Sequence, residues 1–227
     1  MSINNSPQAL LHLLHLSSPA LPVGAYAYSQ GLEYAIDSGQ LKTTEQIADW
    51  LTGVLTYGLG HLDLPVLMRC YSAWENNDYA AINRWNYFLR ASRETSELVL
   101  EDEQLGIALS RLLTDLGLPR EAINSLKIKP CFAVMFALAG VYWKIPLADL
   151  LQSFAFSWLE NQVAAATKIV PLGQTAAQKL LVQLIPVIPS AIVSAQQITD
   201  DNIGTSLPGQ VMASSLHEYQ YSRLFRS

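Results

Sequence analysis

Apolar side chains recur at intervals of three and four residues along almost every segment of the chain, which is the spacing of one face of an α-helix. Runs with strand alternation, joined by the glycine or asparagine turns of a hairpin, do not stand out. A chain of 227 residues has the length of one large domain or two small ones. The sequence therefore predicts an all-α fold, a single domain of about ten helices packed in layers.

Caps, prolines and glycines set the expected ends of the helices. Ser6 and Pro7 are typical of a helix start, and Gly39 is typical of a helix end. Gly31 lies inside the predicted helix 25–37, where it either permits close approach of another backbone or is merely tolerated. The helices predicted after the amino-terminal one are 25–37, 44–59, 64–74, 78–91, 92–116, 132–143, 146–168 and 175–197, and 213–225 is predicted as a terminal helix or an ordered tail.

Charged residues make up only 15% of the chain, against about 25% in an ordinary globular protein, while half of the residues are hydrophobic. A chain of this size has ample material for a core, so the low charge predicts apolar surface left over for partners or self-association. The net charge of −5 is not that of a nucleic-acid-binding protein. The two cysteines, Cys70 and Cys131, form neither a disulfide framework nor a metal-ligand pair, and they fit a reducing cytosol.

The first 32 residues carry no charged side chain, and Glu33 is the first. A secretory signal is one explanation, because 10–16 is apolar and 25–27 has the pattern of a cleavage site. It is disfavoured because no lysine or arginine precedes the apolar stretch, and two prolines precede the supposed site. The structural interpretation remains: a helix with an apolar face, followed by a turn-rich connector over 17–24.

Two apolar stretches invite comparison with membrane spans. The uncharged stretch 130–143 is shorter than the roughly 20 apolar residues that a span needs. The stretch 180–199 is longer but contains two prolines, three glutamines and two serines. We therefore expect both to be buried or interface helices, with no membrane partner.

No catalytic or metal-binding set assembles from the sequence. The chain has no G-x-x-x-x-G-K-[ST] motif for nucleotide phosphates. His12 and His15 lie one helical turn apart and could bind a metal, but no cysteine or carboxylate completes the site. The four histidines are too scattered to nominate a general base. We predict no catalytic residues, no metal ligands and no cofactor.

The most charged segment of the chain is 92–116. Its residues Glu94, Glu97 and Glu101 share one helix face and could attract a cation. We expect instead a solvated face, neutralised by Arg90 and Arg93 through pairs at a spacing of four residues.

Two stretches carry more polar or aromatic character than structure alone requires. Lys168 is a lone lysine beside the turn 171–175 between two apolar helices; it is either an ordinary helix-end lysine or a site residue. The terminal stretch 217–227 mixes tyrosine, phenylalanine and arginine, as binding hot spots do. On a helix, Tyr221, Leu224 and Phe225 would form one apolar face too short to hold alone. We therefore expect a tail that is mobile in the free protein and orders on a partner, unless it docks on its own core.

Four stretches resemble the UreF family of urease accessory proteins. They are SPALPVGAYAYSQGLE at 18–33, RETSELVLEDEQLG at 93–106, SFAFSWLENQVAAATKIVPLGQTAAQ at 153–178 and HEYQYSRLFRS at 217–227, in family order and spacing. The chain departs from the family at 175–178, where TAAQ replaces TDGQ. It departs again at Leu216 and Tyr219, which stand where arginine and threonine are expected.

The resemblance implies a cytoplasmic all-α homodimer without enzymatic activity of its own. Such a protein binds the accessory protein UreD (also called UreH), recruits the UreG GTPase and docks on apo-urease, so that nickel is delivered. We assign partner binding to the segments 1–24 and 200–227 and to eight residues of the matched stretches: Tyr28, Glu33, Lys168, Gln174, Tyr221, Arg223, Leu224 and Phe225. The alternatives are an all-α enzyme or a ligand-binding regulator with an unrecognised site.

Overall fold

The protein is a bundle of helices in the computed structural model, which describes residues 7–170 and 172–227 and contains no β-strand within them. Its α-helices in these ranges are α1 (Pro7–Leu16), α2 (Leu32–Asp37), α3 (Thr44–Gly53), α4 (Leu64–Glu75), α5 (Tyr79–Ala91), α6 (Ser96–Asp115), α7 (Arg120–Asn124), α8 (Phe132–Tyr142), α9 (Leu147–Ile169), α10 (Gln174–Leu184), α11 (Val187–Gln197) and α12 (Pro208–His217). Within the described residues they count as ten when α3 is joined to α4 and α10 to α11. The predicted all-α fold of about ten helices is confirmed, whereas the Ser6 cap lies outside the described residues.

Helix α8 forms the centre of the bundle. Its residues 133–140 are all buried, and it packs against α4 and α6. A helix that is apolar on every side has no face to turn towards water, so only an interior position suits it. The prediction that this uncharged stretch is a buried helix is confirmed.

Helix α9 links the amino-terminal and carboxyl-terminal parts of the chain. It packs against α1 and α2 on the one hand and against α10 and α11 on the other. Trp158 and Lys168 lie on α9, and both contact residues of the segment 25–31 that precedes α2. Helix α9 thus contacts both the segment before α2 and, through Lys168 and Phe225, the last residues of the chain.

A π-helix, Val54–Asp63, joins α3 to α4, and the sequence did not predict it. Pro65 follows two residues after this segment and has no N–H to give to the carbonyl of His61, four residues earlier. The N–H of Gly204 donates to that carbonyl instead, at 2.9 Å. The predicted helices 44–59 and 64–74 are therefore one continuous helical run.

The predicted helix 25–37 is wrong in its first half. A short 3₁₀ turn, Ala25–Ala27, is followed by non-helical backbone, and Gln30 and Gly31 have left-handed φ values of 55° and 83°. A Cβ added to Gly31 would lie 2.8 Å from the backbone nitrogen of Ser214 in α12. Of the two alternatives for Gly31, close approach of another backbone is confirmed, because only glycine fits both the φ value and the contact.

The pair α10 and α11 exposes several apolar side chains. The stretch Gln174–Gln197 is long and apolar enough, by length and composition alone, to cross a membrane, a test that core helices of soluble proteins also pass. Its buried residues face the bundle, while Val182, Ile185 and Val193 are exposed. These exposed side chains agree with the apolar surface expected from the low charge content.

Candidate functional site

Residues 218–227, called the tail below, run back across the segment that precedes α2. The N–H of Arg226 donates to the carbonyl of Ala27 at 2.8 Å, and the N–H of Ser29 donates to the carbonyl of Ser227 at 2.7 Å. These two backbone hydrogen bonds join the last residues of the chain to residues nearly 200 positions earlier. The tail is therefore docked on the protein's own core.

The helical face predicted for the tail is wrong. Helix α12 ends at His217, and the tail continues as turns, bends and irregular backbone. Phe225 is buried, whereas Tyr221 and Leu224 point to solvent. The expected lack of anchoring is wrong as well, because the anchors are buried carboxylates rather than the loop before α12.

Glu33, at the start of α2, anchors the backbone of the tail. It is only 3% exposed, and its two oxygens accept hydrogen bonds from the N–H groups of Leu224 at 2.7 Å and Phe225 at 3.0 Å. A buried carboxylate is tolerated only where such donors replace water. Glu33 therefore fixes the turn of the chain that buries Phe225 and leaves Leu224 outside.

His217, the last residue of α12, lies between two buried carboxylates. Its Nε2 atom is 3.0 Å from Oε2 of Glu33, and its Nδ1 atom is 2.8 Å from Oε2 of Glu97 in α6. The second oxygen of Glu97 accepts from Nη1 of Arg223 at 2.9 Å. Burial raises the pKa of Glu97, and the hydrogen bond and charge of His217 and the charge of Arg223 oppose that rise.

Glu101 lies one turn further along α6 and holds the end of the tail. It accepts hydrogen bonds from Nε2 of Gln30 at 2.8 Å and from Oγ of Ser227 at 2.9 Å. The other amide atom of Gln30, Oε1, accepts from the indole N–H of Trp158 at 2.8 Å. Burial raises the pKa of Glu101 to about 7, while the hydrogen bonds from Gln30 and Ser227 act in the opposite direction.

Arg93, just before α6, pairs with two buried aspartates. Its guanidinium donates to both oxygens of Asp63 and, at 2.9 Å, to Oδ2 of Asp102. Burial alone would lower the pKa of Arg93, but the charges of Asp102 and Asp63 outweigh it and raise that pKa further. A cavity of about 150 Å³ is lined both by this cluster and by Gln30 and Glu101.

The solvated glutamate face predicted for α6 is wrong. Glu97 and Glu101 are buried, and only Glu94 is exposed. The expected partners are also wrong, since Arg90 pairs with Glu103 instead of Glu94. The reason is that α5 ends at Ala91 and α6 begins at Ser96, so no single helix carries both members of the expected pairs.

The remaining predicted site residues fall into two groups. Tyr28 is buried, which raises its pKa, while a hydrogen bond with the side chain of Arg226 counteracts the rise. Lys168 is exposed, with its Nζ atom 5.7 Å from the centre of the Tyr26 ring and 5.5 Å from that of Phe225. Gln174 is exposed at the first position of α10. The structure thus brings Tyr28, Glu33 and Lys168 to the tail.

An exposed aromatic and apolar surface accompanies the docked tail. We call it the tail face and define it by Tyr26, Tyr219, Tyr221 and Leu224, all of which are large side chains open to solvent. Tyrosine is enriched among the residues that contribute most to binding at protein interfaces, so this surface is a candidate site for a partner.

The described residues contain no group of three histidine, cysteine, aspartate or glutamate side chains arranged to hold a metal ion. His12, considered as a ligand with His15, stacks on Trp143 with the ring centres 4.8 Å apart and the planes 2° from parallel. Both cysteines are buried, and burial raises the pKa of their thiols. Neither thiol has the exposed, electropositive setting of a nucleophile.

Comparison with known proteins decides the family. The family model described as UreF matches residues 41–185. A urease accessory protein UreF from Teredinibacter turnerae is 59% identical over 218 residues, which cover 96% of this chain and 98% of that protein. The chain belongs to the UreF family. UreF proteins from Hahella chejuensis and Alkalilimnicola ehrlichii are 51% and 46% identical over 97% and 100% of the chain.

The UreF family model ends at 185, before α12 and the tail. The alignments with the UreF relatives extend beyond that range, since they cover 96–100% of this chain and 98–100% of each relative. Sequence reasoning missed His217, Glu97 and Glu101 as residues of this site. The spacing of Glu97 and Glu101 on one helix face was the available signal, but only the fold shows that the tail covers that face.

Proposed function

We propose that this chain is a scaffold of urease maturation, which binds UreD (UreH), recruits the UreG GTPase and docks on apo-urease so that nickel reaches the active site. Membership of the UreF family makes it a urease accessory protein. The single observation that carries the finer proposal is the docked tail, with Phe225 buried and Tyr221 and Leu224 displayed outward.

The tail face has the chemistry of a protein-binding surface. Tyrosine and leucine side chains offer large apolar area, and the two tail arginines, Arg223 and Arg226, can form forked bonds to carboxylates of a partner. Hydrogen bonds to Glu33 and the backbone at Ala27 hold the tail before any partner arrives. A surface that is already ordered loses less entropy on binding, so the docked tail is suited to bind a partner. We assign UreD to this surface.

We propose that the chain has no enzymatic activity of its own. No phosphate-binding loop occurs in the sequence, and the two thiols are buried. We therefore expect the purified protein, free of UreG, neither to bind nor to hydrolyse GTP. Hydrolysis that co-purifies with this chain through successive columns would contradict the scaffold role.

We propose a cytoplasmic homodimer that associates with proteins and not with lipid. The exposed leucines of α1, Leu10, Leu11 and Leu14, and the exposed aliphatic residues of α10 and α11 offer apolar area for such contacts. The segment 7–24 carries no charged side chain, so its burial against protein leaves no ion unpaired. For the nickel ion, which is cargo, we propose no ligand among the described residues of this chain.

The test is co-purification from a urease-positive lysate with a tagged full-length chain. Wild type should recover UreD, UreG and urease subunits, identified by mass. The double variant Tyr221→Ala and Leu224→Ala should lose UreD, and with it the other partners, while keeping the wild-type melting temperature. Tyr57→Ala is the matched control, because Tyr57 is an exposed tyrosine on the π-helix. Full recovery of UreD by the double variant would refute the tail-face assignment.

A further inference from the structure

The imidazole of His217 makes two contacts that a neutral ring cannot make as hydrogen bonds. A neutral imidazole has one N–H donor and one acceptor nitrogen, and an ionised carboxylate can only accept. Yet both ring nitrogens lie within hydrogen-bond distance of a carboxylate oxygen, at 3.0 Å from Glu33 and 2.8 Å from Glu97. One extra proton must therefore reside on this buried group of three residues.

The other contacts of the carboxylates locate that proton on the ring. Both oxygens of Glu33 accept from backbone N–H groups, those of Leu224 and Phe225. The oxygen of Glu97 that does not face the ring accepts from Arg223. Hydrogen bonds donated to a carboxylate, above all from a guanidinium, favour its ionised form, so these contacts keep both glutamates charged and leave the extra proton to the ring.

We propose that His217 is a positioning residue, whose doubly protonated ring clamps Glu33 and Glu97 together and thereby holds the tail in its docked position. The proposal deepens the proposed function, because the tail carries the surface that we assign to UreD. It does not depend on that assignment, since tail docking can be measured in the free protein.

The charges around His217 balance when the ring is an imidazolium and both glutamates are ionised. The groups that contact it are Glu33 from α2 and Glu97 from α6; Arg223 from the tail pairs with Glu97, and Glu101 lies one turn further along α6. The neighbouring Glu218 is exposed and bonds to Ser96. Glu33 and Glu97 together carry two negative charges, and His217 with Arg223 carries two positive ones.

Loss of one ring proton turns an attraction into a repulsion. A lone pair of the ring would then face a carboxylate at hydrogen-bond distance, and the buried cluster would gain an uncompensated negative charge. The carboxylate that faces the lone pair can relieve this only by moving. If Glu33 moves, the N–H groups of Leu224 and Phe225 lose their acceptor. If Glu97 moves, Arg223 of the tail loses its partner. The tail should therefore loosen as the pH is raised and the ring loses its proton.

The first experiment uses the unmodified full-length protein without partners. Nitrogen-15 chemical shifts of the His217 ring report its protonation, and hydrogen exchange of the Leu224 and Phe225 amides reports docking. Where the ring loses one of its two protons as the pH is raised, we expect a roughly tenfold or larger fall in amide protection relative to the intrinsic exchange rate. A ring that carries a single proton while these amides remain protected would overturn the proposal.

Two variants separate this role from a merely structural one. His217→Gln keeps one donor but turns an oxygen towards the other carboxylate, so tail protection should fall at every pH and lose its pH-dependent step. Glu97→Gln supplies an amide N–H to a neutral ring nitrogen, so the tail should stay docked at alkaline pH. His15→Gln, at an exposed histidine of α1, should behave as wild type. If Glu97→Gln retains the wild-type pH step, the clamp is refuted, even if His217→Gln fails to fold.

Discussion

The carboxylate of Glu101 and the amide of Gln30 lie 2.8 Å apart, although 71 positions separate them in the chain. The same carboxylate accepts from Ser227 on its other oxygen, and no cation contacts it directly among the bonds that it forms. A neutral side chain of the same shape would satisfy most of this site without the cost of burying a charge.

We therefore predict that Glu101→Gln stabilises the protein at alkaline pH. The pKa of this carboxyl is about 7 in the folded protein against an ordinary value of 4.5, so the folded state binds the proton more tightly. The free energy of unfolding of wild type should thus rise as pH falls from about 7 towards 4.5, and the variant should lose this part of the pH dependence. At pH 8 the gain should be roughly 1–3 kcal/mol, measured by urea unfolding.

Glu94→Gln, at an exposed carboxylate of the same segment, is the control for this measurement. Its free energy of unfolding should stay within about 0.5 kcal/mol of wild type at pH 8 and over the range from about pH 7 to about pH 4.5. If the Glu101→Gln variant is less stable than wild type at pH 8, the charge of Glu101 itself holds Gln30 and Ser227 in place.

Phe225 and Tyr221 should respond in opposite ways to truncation. Phe225→Ala removes a buried ring and should lower the free energy of unfolding by about 2–4 kcal/mol. Tyr221→Ala removes an exposed ring and should change it by less than about 0.5 kcal/mol, yet weaken UreD binding. Thermal unfolding and co-purification of the two variants check the pair. Equal stability of both would show that the tail contributes nothing to the core.

This pair also shows what the sequence could and could not predict about the tail. Helical spacing is a local signal, and it correctly predicted long elements such as α8 and α9, whose apolar residues are close in sequence. The tail is held by Glu33, Glu97 and Glu101, each more than 120 positions away. No local pattern encodes such contacts. The composition of the tail indicated binding, but it did not indicate that the tail binds the core of the same chain.

The prediction of a solvated glutamate face was wrong for a related reason. Charged residues are almost never fully buried without a partner, so a glutamate-rich helix face is ordinarily expected to be solvated. Here the partners are backbone N–H groups, His217 and Arg223, which the chain supplies from its far end. The sequence correctly placed Glu97 and Glu101 on one face of a helix, and the fold determines what covers that face.

Arg93 should be the most sensitive arginine of the chain segment before α6. Arg93→Ala leaves Asp63 and Asp102 buried without their shared cation, and it should lower the free energy of unfolding by about 3–5 kcal/mol. Arg90→Ala is the matched control, since Arg90 is half-exposed and Glu103 keeps a second partner in Lys129. Its cost should be about 1 kcal/mol or less. Comparable costs in urea unfolding would contradict the buried-pair account.

Lys168 lies where the tail face meets α9. Its ammonium is 5.7 Å from the centre of the exposed Tyr26 ring and 5.5 Å from that of the buried Phe225 ring. The ammonium thus lies within cation–π distance of the docked tail, and the side chain is exposed to solvent. A cation held in this way can contribute to partner attraction without being needed for the fold.

We therefore predict that Lys168→Ala separates assembly from stability. Loss of the two ring contacts and of a helix-end cation should cost about 1 kcal/mol or less, while UreG recruitment and urease activation should fall clearly below wild type. Lys168→Arg keeps charge and ring contacts and should restore both, and Lys179→Ala, at an exposed lysine of α10, should have no effect. Activation assays with all three variants at matched protein levels check this. Wild-type recruitment by Lys168→Ala would reduce the lysine to a structural role at the end of α9.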